Sequence, residues 1–301
     1  MSDGLDHVAR LAATLPGVVD SLCAKGIHAG RLGFGREGAV PTRKTRVPTD
    51  ARSEFLANRA MGDWAEDALS KALARALPEW KVAQYGNTDR IAAGDPGFKE
   101  RYLAGIEETR RFGKRPDLLL FPVGEPVSAH LSRLPHAETE STAVRAVAAV
   151  EVRSSKFEAL RYMRVRRRQR EEGLKPGRDA PCFTVKVEDL VIVHRWIERH
   201  RVPQAYCQVF FDSVFAINFL DAFAILAAGA GFTVEKPEKN QEKATIMIPI
   251  TRGIEIGQAT SMPRFEAEHR VTQLGRHDAY VVPRGGDFRL DADATRRALI
   301  P

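Results

Sequence analysis

Apolar residues recur at helical spacing in some stretches of this chain and form short unbroken runs in others, and the alternation lays out its elements. Between residues 53 and 77, Phe55, Leu56, Trp64, Ala65, Ala68, Leu69, Ala72, Leu73 and Leu77 return every three or four positions until Pro78 ends the run, which predicts one long helix. Residues 4–27 predict one or two further amphipathic helices. Residues 28–50, rich in Gly, Pro, Arg and Lys, have no apolar period and read as a loop or arm. A short strand is expected at 81–85, a turn at 87–96 and a charged helix at 98–111. Leu118, Leu119, Leu120 and Phe121, bounded by Pro116-Asp117 and Pro122, predict a buried strand. The Val-rich run 144–152 predicts a second, with a loop at 123–141 between them.

Farther along, 161–172 predicts a basic helix, 173–181 a loop and 183–187 a strand. Leu190, Val191, Val193, Trp196 and Ile197 give 188–200 helical periodicity. Two strands at 205–211 and 214–219 are joined through Asp212-Ser213, and 220–228 is a buried helix too short to span a bilayer. Beyond Val234, short β-like runs such as 245–250 and 280–282 alternate with Gly-rich turns. The order helix, strand, strand, strand, helix, strand predicts an α/β chain with a central mixed sheet flanked by helices. Residues 1–52 form an N-terminal helical arm with a basic tail, 53–230 the core, and 231–301 a C-terminal α+β elaboration.

Composition changes this picture little. A chain of 301 residues, 44% of them hydrophobic, can bury a real core, which excludes disorder as its main state. Charge adds more. The 46 basic against 39 acidic residues leave a formal +7, and the basic ones cluster at 36–46, 110–115 and 161–170. The last cluster holds Arg161, Arg164, Arg166, Arg167, Arg168 and Arg170, either a solvated helix face or a surface for a polyanion. Cys23, Cys182 and Cys207 lack zinc-site spacing and are odd in number, so neither a zinc site nor a secreted disulfide framework is expected. The acidic N-terminus is no signal peptide, and a cytoplasmic protein without a membrane partner is expected.

Candidate chemistry comes from two carboxylates. Asp117 opens one buried strand and Glu151 lies near the end of the next, and neighbouring strands place two acids together without relying on loops. Converging carboxylates suit a magnesium ion, which supplies what phosphodiester hydrolysis needs. Other motifs carry less. His194 and His200 share a helix but lack the i, i+4 spacing for a shared zinc ion. The glycines of 31–38 (RLGFGREG) have no following Lys-Ser/Thr, so they form no nucleotide phosphate loop, though an arm contacting DNA is compatible with them.

Pro116-Asp117 followed by Glu151-Val152-Arg153, set in that order of elements, resembles the PD-(D/E)XK nuclease superfamily, which includes most type II restriction endonucleases. The strings AVEVRSSKF, FTVKVEDL and YCQVFFDSVFAINF resemble restriction enzymes of the AccI type. The resemblance implies a restriction-endonuclease-like core in which Asp117, Glu151 and the carbonyl of Val152 bind Mg2+, with Glu66 as an outer ligand. Arg153 stands where the superfamily has lysine. It cannot act as a base but can position water or neutralise phosphate, and Lys186, then Lys156, are the substitutes. The six arginines of 161–170 would contact phosphates and read guanine edges. Also implied are a homodimer cutting double-stranded DNA to 5'-phosphate and 3'-hydroxyl ends, and a cognate methyltransferase. A repair or recombination nuclease of the same core, or an inactive DNA-binding protein, are the alternatives.

Overall fold

A computed structural model describes residues 2–35, 53–86, 97–128, 131–175, 177–236, 244–271 and 275–301. In chain order come α1 (Ser2–Ala24), α2 (Ser53–Ala76), β1 (Trp80–Gln84), α3 (Phe98–Phe112), β2 (Leu118–Pro122), α4 (His136–Ala143) and β3 (Ala148–Ser154). They are followed by α5 (Ala159–Glu171), β4 (Cys182–Lys186), α6 (Val187–His200), β5 (Gln204–Val209), β6 (Ser213–Asn218) and α7 (Phe219–Ala227). The remainder is β7 (Thr233–Glu235), β8 (Thr245–Pro249), β9 (Ile254–Ser261), β10 (Arg264–Val271), β11 (His277–Arg284), β12 (Asp287–Leu290) and α8 (Ala292–Leu299). No helix among the described residues is long and apolar enough to cross a membrane.

Seven strands form a curled mixed sheet in the order β1-β2-β3-β5-β6-β9-β12. Neighbours are antiparallel except β3 and β5, which run parallel, so the chain must cross over between them, and α6 lies in that crossover. A smaller sheet, β4-β8-β7, and a two-stranded ribbon, β10-β11, stand apart from it.

Two cores follow from the pleat, which sends successive side chains to opposite faces. Leu118, Leu120, Val150, Val152, Ala205 and Cys207 pack against Trp64, Leu69 and Leu73 of α2 and Leu299 of α8. Leu119, Phe121, Ala149 and Tyr206 face the other way, toward α1, α6, α7 and the small sheet. Gly113 (φ 89°) lets the chain leaving α3 run against α6, since a Cβ there would lie 2.5 Å from the Trp196 nitrogen and 2.6 Å from the Ile192 oxygen.

Of the one or two helices expected within residues 4–27 there is one, α1, with Pro16 inside it. Other expectations needed revision. The expected loop 123–141 contains α4, whose buried face is His136, Thr139 and Ala143. That face has helical spacing but no large apolar residue, so a hydrophobic pattern does not register it. The strand expected from 144 starts at Ala148, because Val144 caps α4 and residues 145–146 turn back onto it. Beyond 231, β9 and β12 extend the central sheet. The turn expected at 87–96 and most of the loop expected at 28–50 lie outside the described residues.

Burial also fixes the state of the core histidines. His194 lies among Phe34 and Phe223, ring centroids 5.4 and 5.8 Å away, and burial pulls its pKa down to about 4. His136, stacked on Phe112, is brought down to about 3 by burial and then by His200. Unfolding returns both toward the ordinary 6.5, so below that value the unfolded chain takes up protons that the folded chain refuses. Their contribution to stability is therefore full above pH 6.5 and is lost as pH falls toward the folded values. The melting temperature should fall between pH 7 and pH 5, each histidine contributing at most about 1.4 kcal/mol per pH unit. His194→Phe should flatten that fall while keeping the packing; an unchanged acid slope in the variant would contradict the assignment.

Candidate active site

Strand register brings the two acids together. β2 pairs with β3 as Leu118↔Val150 and Leu119↔Ala149, so Asp117, one step before β2, meets Glu151, one step past Val150. A hydrogen bond fixes this junction, as the Val152 N–H donates to Asp117 Oδ2 at 2.6 Å. On the other side, the Tyr85 and Gly86 N–H groups donate to the Asp117 carbonyl at 2.9 and 3.1 Å. Gly86 carries no side chain where a Cβ would lie 3.1 Å from Asp117 Oδ1, so the chain passes close to the carboxyl without crowding it.

Glu151 is 2% exposed. Its Oε1 pairs with Lys114 Nζ and lies 3.2 Å from the Arg153 guanidinium, while Oε2 is buried and has no hydrogen-bond partner among the described residues. Arg153 also reaches Asp189 Oδ2 on the first turn of α6, at 3.2 Å. Asp117 keeps part of its surface open, yet the protein around its carboxyl raises its pKa well above the carboxylate range, followed by the Glu151 charge, with Lys114 pulling the other way. Glu66, on α2, is raised to about 7 by burial, then by Asp63 and Glu151. The charges of Glu151, Lys114 and Arg153 all reach it. Among the described residues no three His, Cys, Asp or Glu side chains are arranged to hold a metal ion.

The remaining sequence candidates spread out. Lys186 ends β4 in the small sheet and Lys156 follows β3, and both are exposed and make no ion pair among the described residues. His194 and His200 are core residues. Arg31 bonds Glu188 of α6 at 2.6 Å, and residues 36–38 of the glycine-rich string lie outside the described residues, as does the basic cluster 36–46. Lys114 and Asp189 were not singled out by sequence reasoning. The signal for Lys114 was present, since it stands three residues before Asp117 inside the basic cluster 110–115. Asp189 reads in sequence as an ordinary first-turn acid, and only packing puts it beside Arg153.

The arginines lie on α5, which begins a few residues after β3 ends. Asp212, in the β5–β6 turn, accepts the Leu160 and Arg161 N–H groups at 2.9 and 3.1 Å and so caps this helix from a distant point in the chain. Arg161 pairs with Glu158 at 3.3 Å, Arg170 with Asp179, and Arg166 lies over Tyr162. Arg164, Arg167 and Arg168 are exposed and have no ion-pair partner among the described residues. Arg167, Arg170, Arg178 and Arg252 border a cleft of about 670 Å³ between α5 and the small sheet.

The crowding of negative charge has a measurable consequence. A carboxyl whose folded pKa lies above its unfolded value favours folding fully only below the unfolded value, near 3.8, and that contribution is lost as pH rises through the folded one. At pH 8 an ionised Asp117 therefore works against the fold. In chelator at pH 8, Asp117→Asn, which keeps an oxygen for the Val152 N–H, should melt higher than the unsubstituted protein by the equivalent of on the order of 1 kcal/mol. The gain should shrink toward pH 5. A lower melting temperature at pH 8 would show that the two acids do not repel.

Neither the curated proteins nor the solved structures yielded a match. The model of the AccI restriction endonuclease family matches residues 34–174 and 168–300, which together take in α2 to α8, Asp117, Glu151 and the arginine helix. With nearly the whole chain covered, this protein belongs to the AccI restriction endonuclease family.

Proposed function

We propose that this restriction endonuclease is a type II enzyme of the PD-(D/E)XK kind, which hydrolyses double-stranded DNA at a specific sequence with Mg2+ and leaves 5'-phosphate and 3'-hydroxyl ends. The observation that carries the reading is the convergence of Asp117 and Glu151 from adjacent strands, with Glu151 Oε2 buried and without a partner among the described residues. A buried anionic oxygen without a partner is costly unless something fills its place. Asp117 Oδ1 lies beside Gly86, where any side chain would crowd it.

Two carboxylates and the Val152 carbonyl make an all-oxygen donor set, which fits magnesium, a hard cation that keeps several waters and needs few protein ligands. Bound there, magnesium supplies Lewis acidity at a phosphate oxygen and makes a water more acidic. Glu66 is placed to act on the site through charge. Arg153 orients Glu151 while Asp189 holds it in turn. The succession α2, β1, β2, β3, α6, β5 supports the assignment of the core.

Arg161, Arg164, Arg166, Arg167, Arg168 and Arg170 are assigned to DNA. Arg164, Arg167 and Arg168 suit phosphates best because no carboxylate among the described residues neutralises them. A homodimer would present two sites to the two strands of a symmetric sequence, and a methyltransferase of the same specificity would protect the host's own DNA.

Incubation of plasmid DNA with the protein and Mg2+ should give discrete fragments whose ends religate. A random smear would point to a repair-type nuclease, and no cutting to a DNA-binding protein. Asp117→Asn or Glu151→Gln should abolish cleavage and leave duplex binding in Ca2+ intact; normal cutting by either variant would overturn the site. Arg164→Ala, Arg167→Ala and Arg168→Ala should weaken binding to all duplexes alike and reduce the slope of log affinity against log salt by about 0.9 per lost phosphate contact. Unchanged slopes in all three would make α5 a solvated face.

A further inference from the structure

Two cations meet Glu151, and they are held differently. Arg153 lies 3.2 Å from both Glu151 and Asp189, so its guanidinium is held between β3 and α6. Lys114 arrives from the segment before β2. Its backbone is anchored by an N–H donated to the Ile192 carbonyl at 3.0 Å, next to Gly113, whose lack of a Cβ allows that close approach. Its side chain makes one ion pair among the described residues, to Glu151, and at 27% exposure it keeps a path to solvent, as the 39% exposed Arg153 side chain does. What separates the two cations is the number of acids that hold each, one for Lys114 and two for Arg153.

Glu151 and Asp189 are paired with Lys114 and Arg153, and Asp117 and Glu66 lie within reach of the same charges, so four carboxyl groups share two cations. Arg153 is tied to its pair of acids, so of the two cations Lys114 is the one free to leave.

We propose that Lys114 is a placeholder cation, which holds Glu151 in the metal-free enzyme and competes with a divalent cation for that carboxylate. It thereby sets the metal affinity of the site. The inference rests on the assignment of Asp117 and Glu151 as metal ligands, and it gives Lys114 a part that the sequence motif leaves to Arg153. Lys114 acts here through Glu151, as a positioning residue.

Calorimetric titration of the metal-free full chain with Ca2+ tests this without reference to cleavage. Lys114→Met removes the competing charge and should bind Ca2+ about tenfold more tightly than the unsubstituted protein. Lys114→Gln should show the same gain, because its amide keeps a hydrogen bond to Glu151 without the charge, and it serves if the methionine variant folds poorly. Lys114→Arg should stay near the unsubstituted affinity. Without metal, the two neutral variants should melt lower, and saturating Ca2+ should restore them, whereas a merely structural lysine would give a loss that Ca2+ does not repair. Equal or weaker Ca2+ binding in both neutral variants, with Asp117→Asn still abolishing it, would overturn the placeholder role alone. Ca2+ binding that Asp117→Asn leaves untouched would overturn the metal assignment and this inference with it.

Discussion

Asp117 and Glu151 repel each other on adjacent strands, where the surrounding protein leaves little water to screen them, and their neighbourhood is organised around that repulsion. The Val152 N–H holds one carboxylate and Lys114 and Arg153 hold the other. Arg153 is shared with Asp189. Such an arrangement works against the stability of the empty fold, and it persists because the sheet on either side is packed too well to relax.

The tertiary frame makes this possible. Each face of the central sheet has its own core, with α2 and α8 on one side and α1, α6, α7 and the small sheet on the other. The parallel pair β3 and β5 obliges the chain to cross over, and the crossover delivers the first turn of α6, with Asp189, beside the end of β3. Gly113 allows the segment carrying Lys114 to run against that same helix. Tyr206, paired in register with Glu151, donates its hydroxyl to the Thr184 carbonyl at 2.6 Å and ties the sheet to β4. The arginine helix α5 then starts a few residues beyond the end of β3, its start capped by Asp212. Membership in the AccI restriction endonuclease family gives this combination its meaning: a cluster of buried acids and, a few residues on, a basic helix.

The sequence by itself determined the helices and strands whose apolar residues are large and regularly spaced. α2 and α6 declare themselves because burial of one face demands that period, β2, β5 and β6 because burial of both faces makes them nearly unbroken apolar runs, and Asp117 and Glu151 are visible as carboxylates standing where hydrophobic strands begin and end. Elements with small or polar buried faces escaped it: α4 buries His136, Thr139 and Ala143, and β9 and β12 reach the central sheet from far along the chain. Only the tertiary structure decided which cations serve the site. Arg153 follows Glu151 by two residues and was legible, whereas Lys114 and Asp189 are 37 and 38 positions away from it and meet it, directly or through Arg153, because strand register and a helical crossover bring them there. Periodicity records what a residue does for its own element; the field at a buried carboxylate depends on charges contributed by several elements at once, and no local pattern carries that information.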